Sequence, residues 1–166
     1  MVAALPQPLI ARVQGNAFGG GVGLACVADV TVGAAGASFG LTETRLGVIP
    51  ANIAPYVIAR MGGARARQVF MSGRVFGAEE AARLGILSRV VAAEALDAEI
   101  EAEIAPYLAA APGAVRAAKA LLNRLAGEVT EEEVDLAIAA LADRWETDEA
   151  REGLAAFFEK RKPGWA

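Results

Sequence analysis

The sequence predicts an α/β fold with parallel strands in its first half and helices in its second, and three observations carry that prediction. Residues 8–33 run from a short apolar stretch through a glycine-rich turn and a helix-forming segment into a second apolar stretch, the pattern of two parallel strands joined by a crossover helix. Near Gly85 the composition changes: short apolar runs punctuated by glycine give way to alanine-rich helical periodicity. Finally, 166 residues with 55% hydrophobic side chains suffice for one domain with a sizeable core. We divide the chain into a sheet-bearing core region, residues 1–91, and a helical carboxy-terminal region, residues 92–166.

The elements follow in order. Pro8–Gln14 reads as a buried strand ended by Gly15-Asn16. Gly19-Gly20-Gly21 opens a helix that runs to about Ala28, and Asp29–Gly33 is the second strand. Ser38–Leu41 leads into an acidic loop, Thr42–Pro50. Helix is expected over 52–61, closed by Gly62-Gly63, and again over 64–72. Gly77–Gly85 is a short helix with acids in its first turn and Arg83 near its end, as the helix dipole prefers, and it leads into a strand over 87–91. Only helices are expected from Ala93 onward. Pro106 should kink or divide the first of them and Pro112-Gly113 should end it. Thr130-Glu131-Glu132-Glu133 fits a capping box, after which Val134, Ile138, Leu141 and Trp145 share one face. A last helix places Leu154, Phe157 and Phe158 on its apolar side before Pro163 stops it. These aromatics read as core or interface. No internal repeat or low-complexity linker interrupts the chain.

Composition excludes several classes of function. Sixteen basic and twenty acidic residues, spread along the chain for a net charge of −4, make no basic stripe, so no nucleic-acid partner is expected. One cysteine, Cys26, forms neither an internal disulfide nor a thiolate cage, and without histidine there is no serine–histidine triad and no metal site is expected. The start, Met1–Pro6, lacks the basic segment of a secretory signal, and no apolar run reaches membrane-spanning length, so a cytoplasmic protein with no membrane partner is expected.

Two places could hold chemistry. In Gly15–Gly23, between a strand and a helix, glycines let backbone amides point at an anion or a polarised carbonyl, aided by the helix dipole. The spacing is not that of a nucleotide-phosphate loop, and no P-loop lysine follows. Carbonyl-oxyanion stabilisation and close helix–strand packing both remain as readings. Glu43 is the one carboxylate between Asp29 and Glu79, flanked by Leu41, Leu46, Val48 and Ile49. Apolar surroundings raise a carboxyl pKa and suit it to proton transfer; the alternative is an ion pair with Arg45 or Arg60.

Three stretches carry a family resemblance: Pro8–Gly21 with the following Ala28-Asp29; Phe39–Pro50; and the ending Asp148–Gly153 through Phe158–Pro163. In that order they resemble the enoyl-CoA hydratase/isomerase, or crotonase, superfamily. The resemblance implies a crotonase-like α/β fold, with part of a β-β-α spiral core followed by a helical carboxy-terminal region used for oligomer contacts. It implies an acyl-CoA thioester substrate whose carbonyl is polarised by two backbone amides, one of them that of Gly20; such a donor is worth about 3 kcal/mol. Glu43 would be the acid/base at the carbon alpha to the thioester. Substrate contacts would fall at Phe18, Gly19, Gly21 and Pro50, and at Phe158 and Lys162 of a tail lying near a neighbouring subunit's CoA nucleotide. Coenzyme A arrives with the substrate, so no separate cofactor is implied, and a homotrimer or hexamer is expected.

Two departures sharpen the reading. Hydratases of this superfamily usually carry a second glutamate just after the glycine triplet, where this chain has Gly23. Residues 41–45 and 49–58 nevertheless look most like the bacterial methylglutaconyl-CoA hydratase branch, in which glycine there is tolerated; this favours hydration over double-bond isomerisation by Glu43 alone. The superfamily also begins about a third of its length earlier, with the segment that supplies the other oxyanion amide. A non-catalytic assembly or CoA-binding fragment is therefore the reading from outside enzymology.

Overall fold

Two parallel strands and the helix between them form where the alternation of apolar runs and glycine places them. The computed structural model describes residues 2–126 and 129–165, so the position expected for Met1, in a helix ahead of the first strand, lies outside the described residues. Strand β1 (Ile10–Val13) is followed by a two-residue strand, β2 (Ala17–Phe18), then helix α1 (Gly20–Val27) and strand β3 (Val30–Ala34). β1 pairs with β3 in parallel, Ile10 opposite Val30 and Val13 opposite Gly33. β4 (Ser38–Gly40) precedes a 3-10 turn over Glu43–Leu46 and another over Ala51–Ile53. Helices α2 (Ala54–Met61) and α3 (Gly63–Ala66), strand β5 (Val75–Gly77), helix α4 (Ala78–Arg83) and strand β6 (Arg89–Val91) complete the first half.

Two sheets result. The first has the order β1-β3-β6, all parallel; in the second β4 lies between β2, parallel to it, and β5, antiparallel to it. β2 and β5 are too short to leave an alternation, and they are absent from the sequence reading. The helix expected over 64–72 ends at Ala66 and continues as turns.

The central strand β3 shows how the layers divide. Its side chains alternate: Val30, Val32 and Ala34 join Leu96 and Ile100 on one face, while Thr31 on the other donates from Oγ1 to the Ala25 carbonyl of α1 at 2.9 Å. On that second side lies the larger core, in which Phe39, Leu41, Val57, Val69 and Ile86 are wholly buried. Because β3 is covered on both faces, it reads as a continuous run rather than as an alternating one.

Four long helices follow: α5 (Leu96–Leu108), α6 (Pro112–Ala126), α7 (Glu131–Trp145) and α8 (Asp148–Phe158). Four expectations are corrected here. Pro106 sits inside α5 without dividing it, and the helix stops two residues later. Pro112 opens α6 instead of ending α5; at the first position of a helix its missing N–H costs nothing and its fixed φ is already helical. The inward face of α7 carries Val134, Ala137, Leu141 and Arg144, whereas Ile138 and Trp145 are exposed. α8 likewise buries Ala150, Gly153 and Ala156 and leaves Phe157 and Phe158, stacked edge to face on each other, in solvent.

The capping box forms as its residue types require. Thr130 Oγ1 accepts from the Glu133 amide at 3.2 Å, and Glu133 Oε2 accepts from the Thr130 amide at 2.9 Å. Thr130→Ala is expected to lower the unfolding free energy by about 1 kcal/mol, measured by urea titration, because one helix-end amide then loses its acceptor. Among the described residues no helix is long and apolar enough to cross a membrane.

Candidate active site

The start of α1 and the turn that follows β4 meet at one place. β2 pairs with β4, so the glycines that end β2 and the residues that follow β4 leave the same edge of the second sheet side by side. Gly19 donates to the Gly40 carbonyl at 2.9 Å, and its backbone takes φ +50°, ψ −116°, a conformation that glycine alone adopts without strain. A Cβ built on Gly19 would stand 2.9 Å from Oε1 of Glu43. The glycine-rich loop and the carboxylate, separated by 24 positions, therefore touch.

The three glycines of the loop have separate parts. Gly19 provides the reversed backbone and the room for Glu43. Gly20 and Gly21 are the first two residues of α1, so their amides have no acceptor within the helix, and among the described residues no other group accepts from them. A Cβ on Gly20 would meet nothing within 4 Å. Gly23, one turn further on, is a packing glycine, because a Cβ there would lie 2.3 Å from Cγ2 of Ile53. The glycine segment thus divides by residue: Gly20 and Gly21 present free amides, whereas Gly23 serves close packing, against the Ala51–Ile53 turn and not a strand. Ile53 occupies the space a side chain at position 23 would need, a contact that no local pattern announces.

Glu43 is half-buried, and its Oε2 is fully shielded from solvent with no hydrogen-bond partner. No ion pair with Arg45 or Arg60 forms. Arg60 instead donates to the carbonyls of Gly85 and Ala28 at 2.8 and 3.0 Å, and among the described residues no cation pairs with Glu43. Burial pushes the Glu43 carboxyl above the ordinary carboxylate range, with its own backbone amide opposing more weakly. The sign of the pH effect follows. Below the ordinary value Glu43 is protonated folded and unfolded, and its burial is free of charge; above its raised folded value it is ionised in both states and the desolvation cost is complete. Stability owed to this group therefore falls as pH rises between the two values. Glu43→Gln is expected to raise the melting temperature relative to the parent at pH ~8 and to leave it unchanged at pH ~4. Thermal unfolding at the two pH values checks this.

The remaining residues singled out from sequence lie as follows. Phe18 is exposed beside the loop, with its ring edge against Gly40. Pro50 is wholly buried at the start of the 51–53 turn and offers no surface to a ligand. Phe158 and Lys162 are exposed at and beyond the end of α8, and among the described residues no hydrogen bond or ion pair joins them to the loop. Among the described residues no cluster of three or more histidine, cysteine or acidic side chains is arranged to hold a metal.

Comparison with known proteins places the chain in a family. The sequence model of the enoyl-CoA hydratase/isomerase family matches residues 1–166. A crotonyl-CoA hydratase of Syntrophomonas wolfei is 34% identical over 167 residues, covering 98% of this chain and 63% of its own length. The mitochondrial methylglutaconyl-CoA hydratase of Rattus norvegicus is 36% identical over 174 residues, covering 98% of this chain and 53% of its own. A crystal structure of an enoyl-CoA hydratase from Mycobacterium avium superposes with a TM-score of 0.91 at 31% identity, over 99% of this chain and 65% of that one. The chain thus spans less than two thirds of the length of these relatives. With a match across its whole length and the crotonase α/β fold in common, the chain belongs to the enoyl-CoA hydratase/isomerase family.

Proposed function

We propose that this chain carries the acid/base half of an enoyl-CoA hydratase site, adding water reversibly across the alpha-beta double bond of an acyl-CoA thioester. The observation that carries the reading is the shielded, unpartnered Oε2 of Glu43 beside Gly19, next to the free amides that open α1. An unpaired buried carboxylate oxygen is costly unless a substrate or a proton completes it. The thioester oxygen would accept from the Gly20 amide. Glu43 takes a proton from water as the water oxygen bonds to the beta carbon; the double-bond electron pair moves onto the thioester oxygen as an enolate. The same carboxyl then returns its proton to the alpha carbon, and water has been added with no group left over.

Spectrophotometric assay with crotonyl-CoA and with 3-methylglutaconyl-CoA tests the reading: loss of the conjugated thioester absorbance supports it, and a folded wild-type chain that turns over neither sinks it. The branched substrate is favoured by residues 41–45 and 49–58, although the crotonyl-CoA and methylglutaconyl-CoA relatives stand at similar identity. The carrier of the acyl group is coenzyme A itself, and we propose no further cofactor.

One observation favours a second reading. With Ile53 against Gly23 there is no room for a carboxylate at position 23, and a single carboxyl suffices to move a proton between two carbons. A 3-enoyl-CoA that becomes conjugated without incorporating solvent oxygen would assign isomerisation instead. For the whole protein we propose a homo-oligomer, since Leu121, Leu122, Leu125 and Leu136 of α6 and α7 are exposed apolar side chains. Sedimentation would show it as a mass above that of one chain.

A further inference from the structure

The turn that carries Glu43 is too short to be rigid on its own. Glu43–Leu46 is a single 3-10 turn, closed by Gly47 at φ +74° and by a 3.2 Å bond from the Val48 amide to the Glu43 carbonyl. What surrounds it is the far end of the chain. The corner between α7 and α8 lies against the turn with backbone close to backbone at two places. A Cβ on Gly153 would fall 2.3 Å from the Leu46 carbonyl oxygen, and a Cβ on Gly47 would fall 2.3 Å from the Glu149 carbonyl oxygen. The buried face of α8, Ala150, Gly153 and Ala156, is small throughout, which is why the helix can come so close.

Arg144, the last inward residue of α7, completes the contact. Its Nε donates to the Gly47 carbonyl at 2.7 Å, while its other arm pairs with Glu149 in the first turn of α8. Thr147 locks the corner, donating to the Arg144 carbonyl at 2.8 Å and accepting from the Ala150 amide at 3.2 Å. Gly73 also stands against the turn, at Thr44 and Arg45. The Glu43 turn is thus held by residues about thirty positions downstream and residues about a hundred downstream. α8 packs on the Glu43–Leu46 turn itself, and α7 packs on the Ala51–Ile53 turn that follows it and faces Gly23.

We propose that the α7–α8 corner is a positioning element for Glu43, in which Arg144 and the Gly47–Gly153 backbone contact set where the carboxylate stands relative to the opening of α1. This rests on the reading of Glu43 as the acid/base. The charged groups around the turn are Arg45 on it, Arg144 at the end of α7 and Glu149 at the start of α8, and none of them pairs with Glu43. The corner therefore acts through geometry. A methyl group at position 153 forces helix and turn apart by about an ångström, a displacement that in a proton-transfer site costs on the order of 10²-fold in rate.

The test uses the full chain with Gly153→Ala, Arg144→Gln and Arg144→Lys, and Thr130→Ala as a variant of lowered stability remote from the turn. Two readouts are taken: kcat and KM for crotonyl-CoA, and the titration of the Glu43 carboxyl carbon by 13C NMR, identified by its absence in Glu43→Gln. Expected are a fall in kcat of about 10²-fold for Gly153→Ala and about tenfold for Arg144→Gln with KM little changed, partial recovery in Arg144→Lys, and a Glu43 titration moved back toward the ordinary carboxylate range, with Thr130→Ala unchanged in all of these. Folded variants that keep both kcat and the Glu43 titration of the parent would overturn the proposal. If the parent itself has no turnover, the functional reading fails, while the NMR titration still decides whether the corner positions Glu43.

Discussion

Glu43→Gln is expected to lower kcat/KM for the hydration of crotonyl-CoA by about 10³-fold, equivalent to about 4 kcal/mol of transition-state stabilisation. The amide has the shape of the carboxyl and keeps the packing of the turn, so the loss reports proton transfer and not folding. The environment makes the effect large. Oε2 is shielded and unpartnered, no cation among the described residues pairs with the group, and burial raises its pKa, which brings it toward the range in which a carboxyl both takes and returns a proton. The acid limb of the kcat/KM profile is accordingly expected to lie above the ordinary carboxylate value and to vanish in the variant. A Glu43→Gln enzyme within tenfold of the parent would remove this carboxylate from the mechanism.

The second large effect belongs to Gly19. Gly19→Ala places a side chain on a backbone at φ +50°, ψ −116°, which costs about 1–3 kcal/mol, and drives its Cβ to 2.9 Å from Glu43 Oε1. The carboxylate must move or the loop must open. The expected outcome is a loss of stability of about 1–3 kcal/mol in urea unfolding together with a fall in kcat of about 10²-fold. Gly20→Ala provides the contrast: its Cβ meets nothing, and alanine favours the helix it begins, so its stability is expected to stay within about 0.5 kcal/mol of the parent. Equal destabilisation by the two substitutions would mean that the loop is tight throughout, contrary to the separate parts assigned to these glycines.

Part of the candidate site was legible in the sequence, at residues that carry their own local signal. Glu43 stood out because it was alone among apolar neighbours, and the glycine triplet because it joined a strand to a helix. The ion pair with Arg45 or Arg60 that competed for Glu43 could be dismissed only once Arg60 was seen bonded to the carbonyls that follow α1 and α4. The residues that brace the carboxylate were not legible at all. Gly153 and Gly47 lie 106 positions apart, and a glycine that makes room for another backbone has the same local signature as one that ends a helix.

The amino-acid sequence by itself determined the strand–turn–helix–strand unit of residues 8–33, the amides freed at the start of α1 and the capping box at Thr130. Each of these is set by interactions within a few residues: period, backbone freedom and side-chain-to-amide bonds. Only the tertiary structure decided that β5 runs antiparallel to β4, that α7 turns Val134, Ala137, Leu141 and Arg144 inward, and that α8 docks by alanine and glycine while its phenylalanines face solvent. Such choices depend on which surface lies opposite. For α8 that surface is backbone, so the smallest side chains win the interior, and hydrophobic periodicity, which counts the largest, points to the wrong face.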